Sequence, residues 1–370
     1  MSPEVLEAIV PVMAEVYGNA SSIHHYGQAA KRLLDDARGH TAALIGAAPG
    51  EIVFTSGGTE ADNLAIFGVI RALPGERRHV VTTAIEHPAV LNACARLEGE
   101  GIEVTYVPVG ASGVVDPEDI RRALRPETAL VSVMHANNEL GTIQPLAEIS
   151  VVTRESRAVL HSDGVQASGN IAVDVKALGV DLYSLSGHKL YAPKGVGALY
   201  VRKGMALLPV QYGGRHENGH RAGTENVPGA VGLGRAAERL LENLTEGARL
   251  AQLRGRLETA ILDRAPGARV NCAHSPRVPN TSNILFEGID SEPLLIALDL
   301  RGFAVSSGSA CSSGAQEPSH VLKAIGLSRE EARACLRISL GQSNTVEQVD
   351  ALVDAVAECA RKLRKISVHA

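Results

Sequence analysis

The chain has 370 residues, enough for a large core and two subdomains. Its 45% hydrophobic and 21% charged content is that of an ordinary globular protein, and a net charge of −5 with scattered Lys and Arg argues against a nucleic-acid or membrane-surface partner. Five cysteines with no CxxC pair, the absence of a signal-like pattern in "MSPEVLEAIVPVMAEVYG" and of any apolar run of membrane length are read as a soluble protein of a reducing compartment, the cytoplasm.

From about residue 50 to 200, β-rich apolar runs alternate with helical segments. "EIVFTS" precedes "TEADNLAIFGVIRAL", "HVVTTAI" precedes "HPAVLNACARLEGE", "IEVTYVPV" precedes "DPEDIRRAL", and "TALVSVM" precedes "LAEISVVTRESR". "AVLHSD" and "DLYSLS" follow as further strands. This order predicts an α/β fold, a mostly parallel sheet with helices on both faces, whose ligand groups gather at the carboxyl ends of strands. A helical region is expected over roughly 228–264. Near residue 246 a smaller α+β domain begins: "TSNILFEG" as strand, "SEPLLIALDLRG" as helix and "FAVSS" as a short strand. Ser328 and Glu331 stand at capping-box spacing, and a last helix is expected over about 345–366.

Three stretches follow strands and carry chemistry. "TSGGTEADN" (55–63) is a Gly-rich turn into a helix, where Gly58 and Thr59 suit one phosphate; it is neither a nucleotide P-loop nor GxGxxG. Asp163 and Gln166 in "LHSDGVQASG" end a strand, where a carboxylate either pairs with a cationic heterocycle or caps a helix. Lys189 in "DLYSLSGHKLYAPKGVGALYV" is a candidate Schiff-base amine, its ordinary alternative being a surface lysine, and Ser186 and His188 beside it add anion donors. Phosphate cradle, ring-nitrogen carboxylate and reactive lysine, in this order, together point to pyridoxal phosphate. Cys311 sits alone in "SSGSACSSG" (306–314), a run of small residues unable to bury it, unlike Cys94, Cys272, Cys335 and Cys359 in apolar or helical patterns.

Over nearly its whole length the chain resembles the cysteine desulfurases of the class V aminotransferase family. The matching segments are "YGNASSIHHYGQAAKRLLDDAR", "TSGGTEADN", "EHPAV", "MHANNELGTIQP", "SDGVQ", "SGHKLYAPKGVGALYV", "GGRHENGHRAGTENVP", "SSGSACSSG", "EPSHVL" and "LRISLG". The "SSGSACSS" form is similar to the group I branch, with a long small-residue loop. The resemblance implies the fold type I of pyridoxal-phosphate enzymes: a seven-stranded-type sheet in a large domain (16–245), a small C-terminal domain (246–370), and an N-terminal segment (1–15) packing with the small domain. Lys189 would hold the cofactor as a Schiff base, His87 would stack on its ring and assist proton transfer, Asp163 would hold the ring nitrogen and Gln166 the ring hydroxyl. Gly58, Thr59, Ser186 and His188 would bind the phosphate, with Thr224 reaching it from the neighbouring subunit of a homodimer. Asn137 would bind cofactor and substrate, and Arg337 the substrate carboxylate. The implied reaction converts L-cysteine to L-alanine and leaves the sulfur on Cys311 as a persulfide, for an acceptor such as an iron–sulfur scaffold or a thiolation pathway. A loop of Ser, Gly and Ala lets Cys311 travel between cofactor and surface.

No intrinsic metal is expected, although a cluster contact through Cys311 during transfer stays open. "HENGH" (216–220) matches HExxH, but Gly219 and the flanking "GGR" and "RAGT" disfavour the helix a zinc protease needs. His24–His25 and Cys272/His274 lack a tetrahedral ligand set. Relatives usually start with a strand similar to "YLDNAATT" ahead of "PEVLEA", which here follows "MS", and the end at "RKISVHA" is short. Two alternatives accompany the leading reading: a selenocysteine lyase, since sulfur and selenium substrates differ too little for one sequence to separate, and, resting on the N-terminal difference alone, a catalytically impaired dimeric scaffold on the same fold.

Overall fold

The structure, a computed structural model, describes residues 1–73, 75, 78–243, 245–307 and 318–367. It divides into two compact units, the first comprising Met1–Val107, Asp116–His135 and Gln144–Leu244, the second Pro108–Val115, Ala136–Ile143 and Thr245–Ala370.

In the first unit, α1 (Pro3–Glu15) and α2 (His25–Leu44) precede strand β1 (Ile52–Thr55). There follow α3 (Gly58–Ala72), β2 (His79–Thr83), α4 (Pro88–Glu98), β3 (Glu103–Val107), α5 (Pro117–Ala123), β4 (Thr128–Ser132) and α6 (Leu146–Ser156). β5 (Val159–Asp163), α7 (Val175–Leu178), β6 (Leu182–Ser186), β7 (Gly197–Val201) and α8 (Val227–Glu242) complete it. The seven strands run in the order β1-β7-β6-β5-β4-β2-β3. β3, β2, β4, β5 and β6 are parallel, as the alternation of strand and helix predicts, while β7 pairs antiparallel with both β6 and β1. Every residue of β2, β4, β5, β6 and β7 is buried, the signature of strands covered on both faces, whereas edge strand β3 buries only Val107. Helix α3 lies along the sheet and buries Ala61, Leu64, Ala65, Ile66 and Val69 against it.

Within the first unit, α1 lies on α8, where Gly232 leaves room for Ile9: a Cβ there would meet Ile9 Cδ1 at 2.6 Å. The helical region expected over 228–264 consists of two helices, α8 and α9 (Glu246–Arg264), separated at Asn243 and Thr245. They serve different cores: α8 buries Ala230, Leu233 and Ala237 in the first unit, and α9 buries Leu250, Leu253, Leu257 and Ile261 in the second.

In the second unit, β8 (Ala268–Val270), β9 (Thr281–Phe286), α10 (Ser291–Asp299), β10 (Ser306–Ser307), α11 (His320–Ala324), α12 (Arg329–Arg333), β11 (Cys335–Ser339) and α13 (Val346–Ser367) follow α9. The strands form an antiparallel sheet ordered β10-β11-β9-β8. Ile284 and Phe286 of β9, Leu336 and Ile338 of β11, and Val349, Val353 and Val356 of α13 fill its core with α9. The Ser328–Glu331 capping box forms as predicted: Ser328 Oγ accepts the Glu331 amide and the Glu331 carboxylate accepts the Ser328 amide, opening α12. Two excursions from the first unit's sequence also belong here. Val278 N donates to Gly141 O (2.8 Å), and Ser275 Oγ donates to Ser112 O (2.7 Å), which ties residues 136–143 and 108–115 to the second unit.

Candidate active site

The first unit brings its candidate residues to the carboxyl ends of β2, β5 and β6 and the N-terminus of α3, where open α/β sheets place ligands. Gly57 has φ +155°, and a Cβ on Gly58 would stand 2.7 Å from Val165 Cγ2, so neither position accepts a side chain without displacement. The close approach continues on β7, where a Cβ on Gly197 would meet the Gly57 Cα at 2.6 Å. The result is a bare backbone turn opening a helix of 15 residues at Gly58, with Thr59 exposed beside it. Ser186 at the end of β6 faces the same turn; its Oγ lies 2.9 Å from His188 Nδ1. Unpaired helix amides, a hydroxyl and an imidazole make a donor set that suits one phosphate.

Asp163 ends β5 with 5% of its surface exposed, and its Oδ1 accepts the Val165 amide at 2.9 Å. Burial raises its pKa, a rise opposed by that hydrogen bond and by the neighbouring His87 and Lys189. A carboxylate held this way suits a cationic ring nitrogen. The turn after it is fixed by Tyr183: a Cβ on Gly164 would meet the Tyr183 ring at 2.0 Å, and the Tyr183 hydroxyl lies 2.8 Å from His135 Nδ1. Gln166 follows on that turn, half-buried.

His87 caps α4 through its ring: Nδ1 accepts the Ala89 amide at 3.1 Å. A neutral imidazole in this pose carries its proton on Nε2, so the fold selects the tautomer. Lys189 closes the short turn Gly187–Lys189 after β6. It is exposed, so the desolvation expected of a Schiff-base lysine is not supplied by this chain's own side chains. Thr224 is exposed and lines a groove with Thr55, Ser56 and Arg221 of the same chain.

Asn137 and Arg337 belong to the second unit, which brings them together: Arg337 Nη1 donates to the carbonyl of Asn138 at 2.9 Å and Nη2 to Ser306 Oγ at 3.3 Å. Asn137 is buried, and its Oδ1 accepts the amides of Glu139 and Leu140. Its carbonyl oxygen thus shapes its own loop. Glu139 beside it accepts the Ser319 hydroxyl at 2.6 Å, and burial pushes its pKa up to about 7. Cys311, expected to receive the sulfur, lies outside the described residues.

The HExxH-like segment is no zinc helix. Residues Glu217–Gly219 form a three-residue turn with Asn218 at φ 55°, and Glu217 is engaged by both Arg38 nitrogens (2.7 and 2.8 Å) and the Phe54 amide. Among the described residues no group of three or more His, Cys, Asp or Glu is placed to hold a metal ion.

Three buried titratable groups beside the site are absent from the sequence reading: Asp62, Glu86 and His161. Glu86 Oε1 accepts the Thr83 hydroxyl (2.6 Å) and the Met134 amide (3.0 Å), and burial pushes its pKa up to about 8. The available signal was a carboxylate directly after a strand, and, for Asp62, an acid on the apolar face of "TEADNLAIFGVIRAL".

With this geometry, the chain matches the family model described as aminotransferase class-V over residues 1–352. It is 48% identical over 365 residues to "Cysteine desulfurase IscS" of Methanosarcina thermophila, covering 98% of this chain and 90% of that protein. The protein of the same name from Dictyoglomus turgidum is 47% identical over 367 residues, covering 99% and 93%. Among solved structures, a "NIFS-LIKE PROTEIN" matches with a TM-score of 0.92 at 37% identity over 98% of this chain and 97% of that one. "SspA in complex with cysteine" matches with a TM-score of 0.82 at 38% identity, over 92% and 95%.

Proposed function

The chain belongs to the class-V aminotransferase family, and from that premise we infer that it is a cysteine desulfurase using pyridoxal phosphate. The observation that carries the activity is the 48% identity spread over 98% of the chain. The cofactor reading is supported by the cradle at Gly57–Thr59, the carboxylate at Asp163 and the lysine after β6.

Pyridoxal phosphate supplies an electron sink for charge left on the α-carbon of a bound amino acid. The protein's residues do the rest. The amides at Gly58 and Thr59 with Ser186 and His188 would hold the phosphate, Thr224 of a second copy would add a hydroxyl, and Gln166 would hold the ring hydroxyl. Asp163 would hold a negative charge for the ring nitrogen and so favour that nitrogen's protonated form. Lys189 would hold the group through its amine, and its Nζ would be the group that moves a proton to or from the substrate α-carbon. His87, with its proton fixed on Nε2, exchanges a second proton. Asn137 and Arg337 bind the substrate carboxylate. The Cys311 thiolate attacks the substrate sulfur: an S–S bond forms, the Cβ–S bond breaks, and the electron pair left on carbon takes a proton. L-cysteine and the thiol thus become L-alanine and the Cys311 persulfide, with no external oxidant.

A homodimer is supported by an apolar stripe, Leu6, Val10, Met13 and Tyr17 at helical spacing, exposed from 47% to 101%, with Ile23 and Tyr26 also exposed. The sulfur acceptor is a protein such as an iron–sulfur scaffold, and the reaction is placed in the cytoplasm, which fits thiols kept reduced. No helix of the described residues is long and apolar enough to cross a membrane.

Incubation with pyridoxal phosphate and L-cysteine, followed by peptide mass spectrometry, tests the reading. One added sulfur on the Cys311 peptide with stoichiometric alanine is expected. Alanine without sulfur on Cys311 would overturn the assignment of the nucleophile, and absence of alanine from cofactor-loaded protein would overturn the activity.

A further inference from the structure

Behind Asp163 lies a second carboxyl for which the reaction above has no use. Asp62 sits on the sheet-facing side of α3 with 1% of its surface exposed. Its carboxyl is hydrogen-bonded to the Ser184 hydroxyl, while its Oδ1 stands 3.5 Å from His161 Nε2 and has no hydrogen-bond partner among the described residues. His161 is fully buried on β5, two residues before Asp163 and on the same face of the strand. Its Nε2 lies 3.0 Å from Ser184 Oγ and its Nδ1 2.8 Å from Ser132 Oγ. A hydrogen-bonded series therefore runs from Asp62 through Ser184 and His161 to Ser132, across α3, β6, β5 and β4.

The titratable groups facing Asp62 are His161 and Asp163 of β5 and Glu86 beyond β2. Three buried carboxyls at close quarters cannot all be charged. Asp163 has the Val165 amide and the Lys189 ammonium acting on it, whereas burial and the neighbouring carboxyls act on Asp62 with no cation opposing them. Burial and the neighbouring carboxyls push Asp62 well above the usual carboxylate range, and burial holds the His161 imidazole down at about 3. An ionised carboxylate with one oxygen unpaired in a dry interior is far costlier than a neutral acid in the same place.

We propose that Asp62 carries the proton of this cluster and is a positioning residue for Asp163: the Asp62 carboxylic acid donates to Ser184 Oγ, the Ser184 hydroxyl donates to His161 Nε2, and His161 Nδ1–H donates to Ser132 Oγ. In this order each donor has an acceptor, and negative charge is confined to Asp163. A second charge at Asp62 would drive Asp163 to take up a proton, and the ring nitrogen would lose its counter-charge. The inference rests on Asp163 being the ring-nitrogen partner. In the competing arrangement, an Asp62 carboxylate beside a His161 imidazolium, the two Ser184 bonds reverse: His161 Nε2–H donates to Ser184 Oγ and the Ser184 hydroxyl donates to Asp62, while Nδ1–H still donates to Ser132.

Infrared and histidine-¹⁵N NMR spectra of the full-length protein at neutral pH, with and without pyridoxal phosphate, distinguish the two. Expected are a protonated-carboxyl C=O band that disappears in Asp62→Asn, and a neutral His161 ring assigned by its loss in His161→Gln. Titration with pyridoxal phosphate supplies the functional readout: Asp62→Leu, which leaves Ser184 without a donor, is expected to bind roughly tenfold more weakly. Asp62→Asn, whose amide still donates, is expected to restore binding. An imidazolium at His161, a protonated-carboxyl band unchanged in Asp62→Asn, or Asp62→Asn binding as weakly as Asp62→Leu overturns the proposal. If Asp62→Leu does not fold, the spectra of the wild type and Asp62→Asn decide. If the wild type binds no pyridoxal phosphate, the cofactor reading fails while the spectra still locate the proton.

Discussion

At the scale of single residues, the site uses the backbone to settle chemistry that side chains leave open. The Ala89 amide fixes the His87 tautomer, the Val165 amide helps keep Asp163 charged, and the Met134 amide points at Glu86. Glu86 makes a stability prediction. Its pKa is raised on folding from 4.5 to about 8, so the folded state holds a proton that the unfolded chain releases. The contribution is full below about 4.5, falls as pH rises, and is lost above about 8. Gln at this position does not titrate and can still accept from Thr83 and Met134. Denaturant titrations should therefore show wild-type stability falling relative to Glu86→Gln between those two pH values. A pH-independent difference would mean that Glu86 is ionised throughout.

At the scale of elements, the helices beside the sheet depend on small residues where they cross. A Cβ on Gly234 of α8 would lie 2.6 Å from the Ala37 Cα of α2, a backbone atom that cannot rotate away. Gly234→Leu should force α2 and α8 apart and cost about 1–3 kcal/mol or more, the usual penalty for overpacking. A melting temperature equal to wild type would show that the crossing is not tight. The same crossings explain where the sequence reading of elements succeeded. Gly-rich α8 still reads as helix because its apolar residues recur at helical spacing, and β1 to β6 read clearly because each is a short apolar run bounded by turns. The interruption at Asn243 and Thr245 leaves little trace in composition because helical residues continue on both sides; what changes there is which core each helix serves.

At the scale of the whole molecule, the exposed stripe on α1 is the face proposed for a second copy. Val10→Glu with Met13→Glu, both exposed at 53% and 70%, should leave each chain folded and shift sedimentation from dimer to monomer. Because Thr224 is proposed to act across the dimer, pyridoxal-phosphate affinity should fall with dimer content. A monomer of full affinity would remove Thr224 from the neighbour's site.

The sequence by itself determined the parallel sheet, the residues at its strand ends and the family, because these depend on local pattern and on motifs of contiguous residues such as "TSGGTEADN" and "SGHKLYAPKG". Tertiary structure alone decided that Pro108–Val115 and Ala136–Ile143 join the second unit, that α1 packs on α8, and that Glu217 is held by Arg38. It also decided that Asp62 meets His161, 99 positions on by numbering (161 − 62), across the sheet. Periodicity places a carboxyl on a helix face; only the strands packed beneath that face determine whether it meets water, a cation or another buried acid, and hence whether it carries a charge or a proton.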